Sequence, residues 1–539
     1  MNPSNHVPNG HVDNYEETVS SVSLPLPDSS VNSHSRKQQQ NSNNPSQADD
    51  LCRIAKESFR FGQTLKGEPF AVEIAGPNLA MMLSGSDFKS TLSRLFYKRL
   101  SRIPNSSALA DAICVLKGIA LESEPEELPV RVARYGIDII VDIGDRTGSA
   151  IVINSDSWEV KKESPIVFRR TELTAPFSKP VAGGNIDDLR KVLNVTDDSF
   201  RLLIGWLVST FIPDIAHPIV MLGGQMGTGK TTAAGYITHL TDPSTAPLKV
   251  DPRNIEDWSL TASASWVVSI DNLSEIRPWF SDALCRTVTG DGFVRRKLYS
   301  NNELSVLSFR RCVLLTSIDA GALRGDLGER LLMIDLEPID RGSRLSETAL
   351  GTQFEHVKPA ILGAILDLVV GVMGTPSSTD QTKLPRMADF ALVLAALDEL
   401  DAMDGSLFET YLEQETRIAE TVVDSDNVAD AVRSFLTMRA NWIGTATELL
   451  EELSGSSPPK DWPKNPQVLS GRLKRAAPSL GKVGIDVTFD REASTQRTRL
   501  IKLARHETAS SSSSQSCSDA NLDDELPSNP KRDVLGVDF

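Results

Sequence analysis

The feature that most constrains this chain is an eight-residue run near its middle, Gly224-Gln225-Met226-Gly227-Thr228-Gly229-Lys230-Thr231. It has the form G-x-x-x-x-G-K-[ST]. The apolar residues Pro218-Ile219-Val220-Met221-Leu222 precede it and a helical pattern follows. Strand, glycine-rich turn and helix are therefore expected in that order. Glycines at these positions let the backbone curl until its N–H groups point inward at an anion, and the helix N-terminus adds positive potential there. The pattern predicts a phosphate site in which Gly224, Gly227, Thr228, Gly229, Lys230, Thr231 and Thr232 surround a nucleotide. Lys230 would reach the β- and γ-phosphates, and the Thr231 hydroxyl would hold Mg2+. The expected ligand is ATP with magnesium.

A metal held by a threonine hydroxyl needs a carboxylate beside it. Trp266-Val267-Val268-Ser269-Ile270-Asp271 supplies one, as a buried-strand pattern ending in an acid. Asp271 is the expected second magnesium ligand and a catalytic residue. In many ATPases of this kind a glutamate follows and orients the attacking water. Here the next residue is Asn272, and an amide cannot accept a proton. Glu275 is the nearest substitute. Binding chemistry is complete in the sequence, whereas the hydrolytic base is displaced.

A chain of 539 residues exceeds one core, and at about 100–200 residues per domain three or so are expected. Residues 1–49 are rich in Asn, Ser, Gln and Pro, and residues 506–539 in Ser and acids. Neither segment can bury enough apolar surface to offset ordering entropy, so both are expected to be disordered tails. Between them lie an α/β N-terminal domain of unassigned role (50–200), a core of alternating strands and helices (201–345), a helical segment (346–424) and a small unit (425–505). Apolar runs at 219–222, 248–250, 266–270, 312–315 and 331–336 are the expected strands of a parallel sheet.

The formal net charge of −16 is unevenly spread. Residues 1–50 carry six acids and two bases, and residues 506–539 seven acids and two bases. Residues 461–505 reverse the balance, with ten bases and four acids. Acidic tails around a basic surface are the expected arrangement. The N-terminus has neither a basic start nor an apolar run, and no stretch reaches the ~20 apolar residues of a membrane span. The run 360–373 is short, carries Asp367 and reads as a buried helix. Five scattered cysteines without a C-x-x-C pair fit a reducing cytoplasm and argue against a disulfide framework or a zinc site.

The basic region belongs to a unit with its own pattern. Helices are expected at 427–438, 445–453 and 467–476, and alternating strands at 485–489 and 497–503. Three helices followed by a hairpin is the winged-helix order. Its third helix, carrying Arg472, Lys474 and Arg475, would enter a DNA groove. The alternatives are a winged helix used for protein contact and a merely solvated basic face.

Taken together, these motifs resemble the superfamily 3 helicases, in particular the phage and poxvirus type of primase-helicase ATPase within the AAA+ class. Thr289-Gly290-Asp291-Gly292-Phe293-Val294-Arg295-Arg296-Lys297-Leu298-Tyr299 looks like the stretch that, in that family, leads into a DNA-touching hairpin before the fourth strand. The resemblance gives Arg295, Arg296 and Lys297 that role, with a basic solvated turn as the alternative. Gly325-Asp326-Leu327-Gly328-Glu329-Arg330-Leu331-Leu332 resembles the segment that presents an arginine to a neighbouring subunit's ATP, which makes Arg330 the first candidate finger and Arg324 the second. The family's strand-end asparagine is absent from Cys312-Val313-Leu314-Leu315-Thr316-Ser317, so Thr316 or Ser317 would sense the γ-phosphate. No primase active site is visible upstream.

The resemblance implies an α/β P-loop NTPase with an AAA+-like parallel sheet, acting as a homo-oligomeric ring, a hexamer being one form. It implies a DNA-dependent ATPase or helicase in replication of a phage or mobile element, with DNA as partner and no membrane. The competing reading is an ATP-dependent switch or a regulatory or defence DNA-binding module with little hydrolysis, which Asn272 and the missing strand-end asparagine favour. A small-molecule kinase is a third reading, and no acceptor-binding motif supports it.

Overall fold

The computed structural model describes residues 45–296, 304–307, 309–317, 325–340, 342, 344–375, 384–454, 459, 461–491 and 499–506. Residues 47–126 build a first layer. Helix α1 (Gln47–Ser58) includes the last three residues of the expected tail and buries Leu51, Ile54 and Ala55. Strands β1 (Phe59–Thr64), β2 (Pro69–Glu73) and β3 (Leu79–Met82) follow, then α2 (Ser86–Leu100), α3 (Ser106–Ala120) and the short β4 (Pro125–Glu126). The three helices close on the sheet around Phe59, Phe88, Leu92, Phe96 and Leu116.

The second sheet is a meander: β5 (Val132–Tyr135), β6 (Asp138–Asp142), β7 (Ala150–Ile153) and β8 (Trp158–Lys161), all antiparallel. Strand β9 (Phe168–Arg169) then returns to pair with β3, giving the first sheet the order β4-β1-β2-β3-β9. Alternating residues bury both faces of the meander. Ile140, Ala150 and Val152 pack with Phe168 toward the first layer. Val132, Ile139, Val141, Ile151 and Ile153 join the main core. The expected single domain over 50–200 is thus two structures, and the second is part of the central body. The boundary at residue 200 also falls inside a helix, α4 (Asp197–Ser209), whose Phe200, Leu203, Trp206 and Leu207 are fully buried. Apolar side chains this deep each stabilise by roughly 1.5–3 kcal/mol, so the helix cannot be divided between domains.

The central body alternates β10 (Ile219–Gly223), α5 (Lys230–Thr241), β11 (Leu248–Lys249), α6 (Ile255–Ser263), β12 (Val267–Leu273) and α7 (Pro278–Thr289). A hairpin of β13 (Phe293–Arg296) and β14 (Leu304–Leu307) precedes β15 (Cys312–Ser317), the short α8 (Gly325–Gly328) and β16 (Leu331–Asp335). Five strands pair in parallel in the order β11-β12-β15-β10-β16. Their near-continuous burial explains the unbroken Val, Ile and Leu runs. A buried ion pair ties the meander to this body. The Arg131 Nε donates to Asp242 Oδ1 at 2.7 Å, and its other nitrogens donate to the carbonyls of Asp142, Ala175 and Pro243. Asp242 Oδ2 in turn accepts the amides of Trp266 and Val267. Every charge is matched, as a buried pair requires, and α5 is anchored at its C-terminal end.

Helices α9 (Glu347–Gly374), α10 (Ala388–Glu399) and α11 (Leu407–Ser425) cover the core. Among the described residues α9 alone is long and apolar enough to cross a membrane by length and composition. Its Ile361, Leu362, Ile365, Leu366 and Val369 are buried in the main core instead. Gly363 admits the Val181 carbonyl, where a Cβ would stand only 1.7 Å from that oxygen. Asp367 accepts the Trp158 indole N–H at 2.7 Å. On α11, Gln414 donates to the Met333 carbonyl at 2.7 Å and accepts its amide at 2.9 Å, closing the edge of β16.

The last unit comprises α12 (Asn427–Phe435), β17 (Asn441–Gly444), α13 (Ala446–Leu453), α14 (Pro466–Lys482), β18 (Ile485–Arg491) and β19 (Arg499–Arg505). Thr445 and Glu448 form a reciprocal capping box on α13. Two features depart from the sequence reading. Strand β17, too short and too exposed to show alternation, adds to the hairpin in the order β17-β19-β18. Helix α14 continues past Ala476 through Pro478, because Leu469, Leu473, Ala476 and Leu480 share one buried face.

Candidate functional site

The glycine-rich loop joins β10 to α5. Gly224, Gly227 and Gly229 have φ of 135°, 83° and 84°, where side chains other than glycine are strained. Gly229 caps α5 in the left-handed region, so Lys230 is the first helical residue and Thr231 the second. Thr228 is buried, with its hydroxyl donating to the Gln225 carbonyl at 3.0 Å, which draws the loop closed. The Lys230 ammonium lies across the loop, donating to the carbonyls of Gly224 at 2.7 Å and Gln225 at 2.9 Å. Thr232 is half-buried on the following turn.

Strand order brings the partners in. Because β15 lies between β10 and β12, its end separates the loop from Asp271 and faces both. The pairing of β12 with β15 slips by one residue between Ile270 and Leu273, so that Asp271 and Asn272 together oppose Thr316. This is a bulge, a device that re-aims side chains, and Asn272 takes the positive φ of 58° within it. Asp271 consequently meets two hydroxyls. Thr231 Oγ1 lies 3.1 and 3.2 Å from its carboxylate oxygens, and Thr316 Oγ1 lies 2.6 Å from Oδ1. The Thr316 oxygen also accepts the Asn272 amide at 2.8 Å.

Gly227, Gly229, Lys230, Thr231, Asp271, Asn272 and Thr316 line one cleft of about 290 Å³. Magnesium takes hard oxygen ligands, few of them from protein, and completes its shell with water and phosphate oxygens. A hydroxyl and a carboxylate facing each other across an open cleft fit that need. Thr231 and Asp271 would hold the ion, which would neutralise phosphate charge.

Several expected residues lie elsewhere. Glu275 is exposed on the loop between β12 and α7 and does not line the cleft. Ser317 lines the cleft as well, with its hydroxyl donating to the Leu273 carbonyl at 2.9 Å, while the Thr316 hydroxyl donates to Asp271. Arg330 does not present its guanidinium outward for a neighbouring subunit. It is 8% exposed, and its Nη1 donates to the Asp326 carbonyl at 2.6 Å. The reason is local: Arg330 sits on the tight turn between α8 and β16, where its side chain folds back over the short helix. Arg324 and Lys297 lie outside the described residues. Arg295 and Arg296 lie on β13, paired with Ser305 and Leu304 across the hairpin. In the C-terminal unit, Lys474 and Arg475 are exposed on α14, and Lys474 lies 5.1 Å above the Phe489 ring. Arg472 is partly covered and pairs with Asp461 at 3.5 Å.

The sequence reading missed Arg344. Its Nη2 lies 3.3 Å from where a Cβ on Gly227 would stand. The surrounding Ile339-Asp340-Arg341-Gly342-Ser343-Arg344 has no spacing that would single it out.

These features define a parallel-sheet α/β protein with a glycine-rich loop that opens toward an acid at the end of a neighbouring strand. Residues 186–412 match the family described as actinomycete integrative conjugative element replication protein, and residues 428–516 match the RepA C-terminal domain of the same elements. Both matched families are replication proteins of these mobile elements, and each match covers less than half of the chain. Among solved structures, it is similar to the SCCmec type IV Cch active helicase (12% identity, TM-score 0.42, 83% of this chain and 93% of that one). It is also similar to the apo NrS-1 C-terminal region (12% identity, TM-score 0.37, 85% of this chain and 99% of that one). No curated protein matches the chain in sequence.

Proposed function

We propose that this chain is a mobile-element replication protein acting as an ATP-driven DNA motor, an α/β P-loop NTPase of AAA+ or superfamily 3 helicase type that assembles as a ring. The observation that carries the reading is the convergence of Lys230, Thr231, Asp271 and Thr316 on one cleft from three separate elements. In phosphoryl transfer the protein's task is to place and neutralise the phosphates, and these four side chains have the right chemistry for ATP with magnesium. The C-terminal unit, with its helix–strand–helix–helix–strand–strand order, is read as a winged helix that meets DNA through α14. The β13–β14 hairpin is a second candidate DNA contact, through Arg295, Arg296 and Lys297.

A specific observation favours a second reading, an ATP-dependent switch with little turnover. Asn272 occupies the cleft where a carboxylate would be needed, and Glu275 stands outside it. Steady-state ATP hydrolysis with and without single-stranded DNA, for the wild type and for Lys230→Ala, separates the two. DNA-stimulated turnover that vanishes in Lys230→Ala is the motor's expected result. Tight ATP binding without turnover in either condition would leave the switch.

A further inference from the structure

The chain leaving β16 follows the glycine-rich loop for most of its length. Leu336 donates its amide to the Gly223 carbonyl at 3.1 Å, and Glu337 and Asn194 exchange two hydrogen bonds of 3.0 and 2.7 Å. From this anchor the chain meets three loop glycines in turn. A Cβ on Gly224 would stand 2.8 Å from the Leu336 carbonyl oxygen, one on Gly229 would stand 3.7 Å from Ile339 Cδ1, and one on Gly227 would stand 3.3 Å from Arg344 Nη2. The absence of side chains on the loop is therefore matched by a neighbour that uses the space, and at Gly227 that neighbour is a guanidinium.

Arg344 is exposed and has no carboxylate partner among the described residues. Other exposed arginines of the chain are paired with an acid, as Arg190 is with Asp197 and Arg386 with Glu329, and others have no such partner among the described residues, as Arg253 and Arg417; what sets Arg344 apart is its place beside Gly227. Here a free guanidinium stands beside a loop whose own lysine is already cationic. Two cations without a carboxylate partner among the described residues, beside one glycine-rich loop, suit an anion of several charges. The planar fork of arginine suits a phosphate with two free oxygens in a way a lysine ammonium does not. The Lys230 ammonium lies against the Gly224 and Gln225 carbonyls, whereas the Arg344 guanidinium lies beside Gly227.

We infer that Arg344 binds the terminal phosphate of a nucleoside triphosphate held in the loop of its own subunit, and so distinguishes tri- from diphosphate. The inference rests on the nucleotide reading above. It assigns to this chain an arginine acting in cis, where Arg330 is turned inward.

The test is titration of the full chain with ADP and with the slowly hydrolysed analogue ATPγS, in magnesium, for the wild type, Arg344→Gln, Arg344→Lys and Lys230→Ala. Arg344→Gln is expected to weaken ATPγS about tenfold or more and ADP by less than about threefold, with Arg344→Lys between it and the wild type. Equal weakening of both nucleotides, or of neither, overturns the assignment. Arg344 is exposed and unpaired, so an unchanged thermal midpoint is the control for folding. If the wild type binds neither nucleotide, the nucleotide reading itself fails and the inference goes with it. If Lys230→Ala abolishes binding while Arg344→Gln binds both nucleotides like the wild type, the Arg344 role alone is wrong.

Discussion

The Thr316 hydroxyl donates to Asp271 Oδ1 at 2.6 Å, across 45 residues of sequence. The same oxygen accepts the Asn272 amide, so one side chain holds both residues of the bulge. Thr316→Val keeps the shape and removes both bonds. On the ATPase reading it should lower kcat by about 10–100-fold while nucleotide affinity changes little, and Thr316→Ser should recover most of the loss. Single-turnover hydrolysis measures this, and a Val variant as fast as the wild type would remove Thr316 from the mechanism.

Asn272 is one of three non-glycine residues with positive φ among the described residues. Asparagine tolerates that region and β-branched residues do not. Asn272→Gly should be close to neutral, whereas Asn272→Val should destabilise by roughly 1–2 kcal/mol in urea unfolding. Asn272→Asp keeps the turn chemistry and returns a carboxylate to the cleft. It should raise DNA-independent ATP turnover several-fold, and a flat response would mean that the missing base does not limit the rate.

Lys474 and Arg475 are exposed on α14, while Arg472 already has Asp461 beside it. If α14 meets phosphates, replacing Lys474 and Arg475 together by alanine should weaken binding to all DNA sequences and reduce the logarithmic salt slope by about 2. Arg472→Ala should do less. Fluorescence anisotropy over a salt series reads the slope directly.

His217 is fully buried against Trp266, and its Nε2 lies 2.8 Å from the Ser209 carbonyl. Burial lowers its pKa from 6.5 to about 4. The unfolded chain therefore binds the extra proton at higher pH than the folded one. The contribution of His217 is complete above about pH 6.5 and is lost as pH falls toward 4, by up to about 3 kcal/mol. Unfolding midpoints of the wild type should drop over that window more steeply than those of His217→Gln. Parallel curves would show that the residue titrates normally.

Gln414 supplies both a donor and an acceptor to Met333, and at 7% exposure no water replaces it. Gln414→Leu should destabilise the chain by about 2–4 kcal/mol, because two backbone groups of β16 lose their partners. Denaturant unfolding of the pair of proteins gives the difference.

The loop was legible in the sequence because its requirements are local. Three of eight residues must adopt positive φ, only glycine does so without strain, and the lysine and threonine follow at fixed offsets along one helix turn. The apolar runs of the five parallel strands were legible for the same reason, since burial on both faces writes itself into consecutive residues. Tertiary structure decided the rest. Which hydroxyl meets Asp271 depends on β15 standing between β12 and β10, and on a bulge that turns Asp271 toward Thr316 while Ser317 reaches Leu273. The meander could not be assigned to the central body from its alternation, because both of its faces are buried against different partners. Arg330 and Arg344 look equally exposed as letters. Chain direction after each turn places one inside the fold and the other beside the glycine-rich loop, and that direction is set by contacts between segments far apart in sequence.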